Sequence, residues 1–173
     1  MRSVLKPSPC AKRPAAPAFP INAPYRHFRD KDELLAAVAV QGFERLNAAM
    51  KRSAASGKTP RERFRLCGRG YLSFALRWPQ HFLVMFDLPS ARDKYPEYAA
   101  AGEEAFATLM KFVVECQEAG ALAGGDPVPL AFMAWSMVHG IAKLELSSHL
   151  PFSRAVCSIS RTLPHGSCSG NDG

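Results

Sequence analysis

The sequence predicts an all-α fold, and three observations support that prediction. Apolar residues recur at helical spacing in several long segments after residue 30. Two of these segments begin with helix-start signals, Asp30-x-x-Glu33 and Thr59-Pro60-x-Glu62, in which a capping side chain precedes a glutamate by three residues. No segment shows the alternation of apolar and polar residues that is typical of a half-buried strand.

The size and composition of the chain fit one globular domain, with or without a small appendage. It has 173 residues, of which 47% are hydrophobic, and a chain of that length buries roughly 68–70% of its unfolded surface. It contains no apolar run long enough to cross a membrane, which takes about 18 residues, and its first residues lack the apolar stretch of a secretory signal. We therefore expect a cytoplasmic protein without a membrane partner.

The sequence contains none of the usual signatures of catalysis, metal binding or cofactor binding. Its five cysteines include no C-x-x-C pair, so we expect small core residues and exposed tail thiols rather than disulfides or a zinc site. There is no H-x-x-x-H, nucleophile elbow or phosphate-binding glycine loop, and Gly68-Arg69-Gly70 lies within a helical pattern. We predict no enzyme activity, no catalytic residues, no metal and no cofactor.

Positive charge is concentrated at the N-terminal end. Residues 1–29 contain six Lys and Arg residues and no acid, whereas the other 144 residues contain 16 Lys and Arg against 15 Asp and Glu. Such an asymmetry indicates an anionic partner at that end, and a solvated basic leader would give the same charge pattern.

The helix-start signals and apolar spacing predict the first helices. The first helix begins at Asp30 and ends near Arg52, and the second begins at Thr59 and ends at Pro79. The expected apolar stripes are Leu35, Val38, Gly42, Leu46 and Ala49 in the first helix, and Phe64, Cys67, Tyr71, Phe74 and Trp78 in the second. A short helix over residues 80–86 follows.

A long helix is predicted from Pro96 to Gly120, and residues 120–125 form a turn. The apolar stripe of this helix is Tyr98, Ala105, Leu109, Phe112 and Cys116. The next helix, Pro127 to Leu146, has Leu130, Ala134, Met137 and Ile141 on one side and Phe132, Trp135 and His139 on another. A helix that is apolar on two sides needs two packing partners, and the second partner is expected to be another copy of the protein. Residues 153–163 are expected to form a last short helix at the same interface.

The order of these features resembles bacterial transcriptional regulators of the tetracycline-repressor (TetR/AcrR) family. The stretch APYRHFRDKDELLAAVA, residues 23–39, is similar to the end of that family's recognition helix joined to the next helix. The motif Trp135-x-x-x-His139-Gly140 is similar to one in the C-terminal domain of one subgroup, as are QHFLVMFDLP and EAGALAGGDP. The resemblance covers roughly residues 21 to 152.

The resemblance implies an all-helical homodimer with an N-terminal helix-turn-helix for DNA and a C-terminal ligand pocket. It places Tyr25, His27 and Lys31 where the family contacts backbone phosphates, and Arg26 and Asn22 within the same DNA-binding segment. A phenol, an imidazole and an ammonium can each donate a hydrogen bond to a phosphate oxygen, and the helix that begins at Asp30 turns its free amides the same way.

The helix-turn-helix is expected to be incomplete. Six of the 14 prolines fall within residues 1–24, and Pro20 stands where the family usually has a capping serine, a loss of about 1 kcal/mol. We predict a disordered basic leader (1–20), a remnant of the helix-turn-helix with the connecting helix (21–52), a ligand-binding and dimerisation domain (53–163) and a disordered tail (164–173). We interpret both ends as truncated or out-of-frame versions of a longer relative.

A small apolar effector is expected to bind among the helices after Thr59. Apolar walls with a few polar groups are typical of small-molecule sites. The candidate lining residues are Phe82, Met85, Phe86, Phe106, Phe112, Trp135 and His139, and each aromatic is also a candidate for plain core packing.

Three functions stay open at this point. The first is an effector-controlled repressor that binds an operator duplex. The second is a relative whose helix-turn-helix (the DNA-binding head) is damaged. Such a protein would keep a ligand-binding helical dimer without sequence-specific DNA binding. The third is a non-specific nucleic-acid binder that uses its basic leader, and its binding would fall steeply with salt.

Overall fold

The computed structural model describes residues 28–88 and 91–147, which contain six α-helices and no strand. The helices are α1 (Lys31–Ala54), α2 (Pro60–Arg77), α3 (Pro79–Phe86), α4 (Ala91–Lys94), α5 (Pro96–Glu118) and α6 (Pro127–Leu146). The all-α prediction is confirmed. α1 packs along both α2 and α5, and α6 packs against α2 and α5.

α1 begins where the sequence predicts, because Asp30 caps it. The Asp30 carboxylate accepts a hydrogen bond from the Glu33 backbone N–H at 2.8 Å, and this bond lowers the pKa of Asp30. The Glu33 carboxylate bonds to the backbone N–H and guanidinium of Arg29 instead of closing a capping box on Asp30. The helix runs two residues beyond the predicted end at Arg52.

The buried face of α1 lies one position away from most of the predicted stripe. Leu46 is buried as predicted, but Leu35, Val38 and Ala49 are only half-buried. The buried positions are Ala36, Ala39, Gly42, Phe43, Leu46, Asn47, Met50 and Ala54. Both sets have helical spacing, so the choice between them depends on which face α2 and α5 cover.

α2 has the predicted capping box. Thr59 Oγ1 accepts from the Glu62 backbone N–H at 3.2 Å, and the Glu62 carboxylate accepts from the Thr59 backbone N–H at 3.3 Å. Cys67, Tyr71 and Phe74 are buried as predicted. Trp78 was expected on the same buried stripe, but it is 40% exposed because α2 ends there and the backbone leaves the helical conformation.

The chain turns from α2 into α3 at Trp78 and Pro79, and α3 places Phe82 and Met85 in the core. The short helix α4 was not predicted from the sequence. Its four residues carry Lys94, whose ammonium lies 3.4 Å from the carboxylate of Asp30, so α4 is joined to the start of α1.

α5 agrees closely with the predicted long helix, and Ala105, Leu109, Phe112 and Cys116 are buried as expected. A polar contact joins it to α1: Thr108 Oγ1 donates to Asn47 Oδ1 at 2.6 Å, and Asn47 Nδ2 donates to Glu104 at 2.7 Å. Buried polar groups are stabilising only when they are paired, as Asn47 and Thr108 are.

A turn at residues 119–126 leads from α5 to α6, with Gly120 and Gly125 at positive φ. α6 is apolar on two sides, although the residues divide differently from the prediction. Leu130, Ala134, Trp135 and Val138 pack on the core, while Phe132, Met133, Met137 and Leu144 are between 49% and 66% exposed.

Several predictions concern segments outside the described residues. These are the leader at 1–20, residues 21–27 of the helix-turn-helix remnant, the segment 153–163 and the tail 164–173, together with Cys10, Cys157 and Cys168. Within residues 28–88 and 91–147, no helix is long and apolar enough to cross a bilayer.

Candidate functional site

A cleft of about 280 Å³ lies between α1, α3, α4, α5 and α6. Its size is close to the lower end of the roughly 300–1,000 Å³ that is usual for small-molecule pockets. Nine of the described residues line it, and most are apolar or aromatic: Phe43, Phe86, Leu88, Arg92, Tyr98, Ala99, Gly102, Phe106 and Trp135.

The aromatic walls of the cleft hold one another in place through edge-to-face contacts. The ring centroid of Phe43 lies 5.5 Å from that of Phe86 and 5.6 Å from that of Tyr98. Trp135 lies 6.3 Å from Phe86 and 5.8 Å from Phe106. Such pairs are stabilising beyond their buried area, so the aromatic walls of the cleft support one another.

The structure brings three of the seven candidate effector residues to this cleft, namely Phe86, Phe106 and Trp135. Phe82 and Met85 are fully buried, and Phe112 is 8% exposed, so these three form the core behind the cleft. These three core residues recur at the same helical spacing in the sequence as the three that line the cleft. Sequence alone does not separate the two groups.

His139, the remaining candidate, lies behind Phe86 and does not line the cleft. Its ring centroid is 4.5 Å from that of Phe86, and its Nδ1 is 2.9 Å from the Tyr71 hydroxyl. Burial lowers the pKa of His139, with a smaller contribution from the nearby Lys143 ammonium. The imidazole therefore favours its neutral form beside the Tyr71 hydroxyl, and Phe86 separates this pair from the cleft.

Arg92 and Tyr98 are the polar lining residues that sequence reasoning missed as site residues. The Tyr98 hydroxyl donates to the Met85 backbone carbonyl at 2.7 Å, and the Arg92 guanidinium forms an ion pair with Glu103. The sequence did contain a signal for Tyr98 as an inward-facing residue, because it lies on the predicted apolar stripe of the long helix. The sequence contained no such signal for Arg92, because the helix that carries it, α4, was not predicted.

The N-terminal end of α1 is the described part of the predicted DNA-binding segment. Of the five candidate residues there, Lys31 is described, while Asn22, Tyr25, Arg26 and His27 lie outside the described residues. Arg29 and Lys94 nearby are paired with Glu33 and Asp30. Lys31 is exposed and forms no ion pair with any residue that the structure describes.

Within the described ranges, no group of His, Cys, Asp and Glu side chains is arranged to hold a metal ion. Cys67 and Cys116 are buried free thiols, and burial raises the pKa of Cys67 to about 12. A thiol with so high a pKa stays protonated at neutral pH, so Cys67 is a small core residue rather than a nucleophile.

The comparison with protein families identifies the chain. The model of the tetracyclin repressor-like C-terminal domain matches residues 64–161, which is 98 of the 173 residues. The chain therefore belongs to the tetracycline-repressor-like family and is a TetR-type transcriptional regulator. Members of that family are non-enzymatic DNA-binding proteins, in agreement with the prediction that this chain is not an enzyme. No curated protein sequence matches it significantly.

Two solved structures are similar to this one. A protein with unknown function from Rhodococcus sp. RHA1 is 32% identical, with a TM-score of 0.68, over 82% of this chain and 75% of that one. The TetR family transcriptional regulator PfmR from Thermus thermophilus is 20% identical, with a TM-score of 0.59, over 70% of this chain and 67% of that one. The second likeness supports the fold alone.

Proposed function

We propose that this chain is a transcriptional repressor of the TetR type whose affinity for an operator duplex is controlled by a small, largely apolar effector. The observation that carries the proposal is the aromatic cleft beside α1. Phe43 of α1 lines the cleft, and Lys31 begins the same helix twelve residues earlier, ~18 Å along the helix axis. One rigid element thus joins the effector site to the DNA-facing end.

The DNA contacts are assigned to Tyr25, Arg26, His27, Lys31 and Asn22. Lys31 supports this assignment because its ammonium is exposed at a helix N-terminus and is not engaged by a carboxylate of the described residues. Contacts of this kind bind phosphates and fix the position of the protein on DNA, and they leave base reading to other side chains. A protein with this role acts in the cytoplasm, where bacterial DNA lies.

A homodimer is part of the proposal. α6 leaves Phe132, Met133, Met137 and Leu144 exposed on one side, and a contiguous apolar face of this kind indicates a protein partner. A second copy is the natural occupant because an operator with two half-sites, ~34–36 Å apart, requires two heads with twofold symmetry. The predicted contribution of residues 153–163 belongs to the same interface.

Fluorescence anisotropy with labelled DNA flanking the gene tests the proposal. We expect binding that survives an excess of unlabelled non-specific duplex and weakens when an effector enters the cleft. Lys31→Ala should weaken binding to specific and non-specific duplexes alike and reduce the salt dependence, because it removes a phosphate contact. Arg77→Ala, on the exposed end of α2, is the matched control and should leave binding unchanged.

The two other functions predict different results. A relative with a damaged head would bind effector and dimerise without retaining DNA in the presence of competitor, and the six prolines of residues 1–24 favour this alternative. A non-specific binder would ignore the DNA sequence and lose affinity steeply with salt. Either result would contradict operator-specific repression.

A further inference from the structure

Arg92 is the only charged side chain among the nine residues that line the cleft. From its position we infer that the effector carries a carboxylate on an aromatic or short acyl body, and that Arg92 is the residue that recognises the carboxylate. This inference deepens the proposed function, since it assigns a chemical class to the effector of the same cleft.

The walls define the body of such a ligand. Phe43, Phe86, Phe106 and Trp135 present ring faces and edges, and Leu88 and Ala99 add aliphatic surface. At Gly102, an added Cβ would lie 3.6 Å from the Phe43 ring, so the absence of a side chain there keeps the cleft open beside that ring. A flat ring or a short acyl chain would remove apolar surface from water on both sides of the cleft.

The polar end of the ligand has one charged partner on this lining. The Tyr98 hydroxyl is already committed to the Met85 carbonyl, whereas Arg92 lines the cleft and pairs with the exposed Glu103 carboxylate. The Arg92 charge is close enough to affect Tyr98 in the cleft. Burial raises the pKa of Tyr98, and the Arg92 charge partly offsets that rise. The planar guanidinium matches the two oxygens of a carboxylate.

Glu103 forms an ion pair with Arg92. The Arg92 and Glu103 side chains are 65% and 63% exposed, and an exposed ion pair of this kind contributes little to stability. Arg92 therefore already holds a carboxylate in this structure, and it can exchange Glu103 for a ligand carboxylate at small cost. Glu103 is then a competitor of the ligand.

The test uses the full-length chain with Trp78→Phe, which leaves Trp135 in the cleft wall as the single tryptophan reporter. The probes are ω-phenylalkanoic acids of increasing chain length, each paired with its neutral primary amide. Binding is followed by Trp135 fluorescence and verified by calorimetry, and circular dichroism establishes that each variant is folded.

We expect at least one acid to bind roughly tenfold or more tightly than its amide, because the bond to arginine is charge-assisted. Arg92→Gln should remove that preference and leave the affinity for the amide unchanged. Glu103→Gln should raise the affinity for the acid alone, since it removes the competitor. Arg77→Gln, an exposed arginine away from the cleft, should bind as the parent does.

Equal binding of acids and amides by the parent, or an acid preference that persists in Arg92→Gln, would overturn the inference and leave the effector cleft in place. Failure of both series to bind would overturn the inference together with the proposed effector function. A rise in affinity for the amides in Glu103→Gln would show that Glu103 only blocks the cleft, and this too would contradict carboxylate recognition.

Discussion

At the scale of single residues, His139 shows how a motif predicted as a ligand contact is used in the packing. The imidazole forms a hydrogen bond with the Tyr71 hydroxyl and lies against the rings of Phe82 and Phe86. Protonation of His139 would place a positive charge among these rings, away from water and near the Lys143 ammonium. The fold therefore favours the neutral form, and this is the reason for its lowered pKa.

The lowered pKa of His139 gives a pH dependence with a definite sign. Below its ordinary value of 6.5 the unfolded chain binds a proton that the folded chain does not, so the free energy of unfolding falls as the pH falls through that value and is fully retained above it. Urea denaturation between about pH 7.5 and 5.5 should show this loss. His139→Gln, which keeps an acceptor but does not titrate, should lose less stability over that range.

His81 is the matched comparison for that experiment. Its pKa is also lowered, first by burial and then by the neighbouring Arg45 guanidinium, but it is not part of the Tyr71 contact. His81→Gln should retain the contribution of His139 to the pH dependence. An unchanged pH dependence in His139→Gln would contradict the role given to this imidazole.

At the scale of elements, α2 approaches the backbone of α1 closely at Gly70. A Cβ on Gly70 would lie 2.6 Å from the Ala49 carbonyl oxygen and 2.9 Å from the Met50 Cα. Both are backbone atoms, which cannot rotate away as a flexible side chain can. Glycine at this position therefore sets the distance between the two helices.

We expect Gly70→Ala to lower the free energy of unfolding by about 1–3 kcal/mol, because the two helices must separate to admit the methyl group. Gly68→Ala is the matched control on the same helix, where the nearest atom to an added Cβ is Val138 Cγ1 at 3.5 Å. There alanine should leave stability unchanged or raise it by up to about 1 kcal/mol through its helix propensity. Chemical denaturation of both variants measures the difference, and equal stabilities would contradict the close approach.

At the scale of the whole molecule, the apolar side of α6 is the surface that the proposed homodimer would bury. Met137 and Met133 are 63% and 66% exposed, and burial of such side chains against a second copy would stabilise a dimer. Met137→Glu should convert the proposed dimer to a monomer, because it would place a charge in the apolar interface, while the fold is retained. Size-exclusion chromatography with light scattering measures the mass of the particle.

Ser73→Glu is the control for that experiment, since it adds the same charge at an exposed position of α2. It should remain dimeric. A monomeric parent protein, or a dimer that persists in Met137→Glu, would contradict the assignment of this face to a second copy.

The sequence by itself determined the class of fold, the helix starts at Asp30 and Thr59, and the long helix from Pro96. These features are local, because caps, prolines and helical spacing act within one or two turns of the chain. The resemblance of residues 23–39 and of the Trp135-His139-Gly140 motif also led to the family, which the match over residues 64–161 confirms.

Only the tertiary structure decided which apolar residues line the cleft and which fill the core. Phe82 and Phe86 are four residues apart on the same helix, yet one is fully buried and the other faces the cleft. Arg92 reaches the same cleft from a helix of four residues that has too little pattern to predict. Spacing along a helix fixes the direction of a side chain, but its surroundings depend on where the neighbouring helices pack.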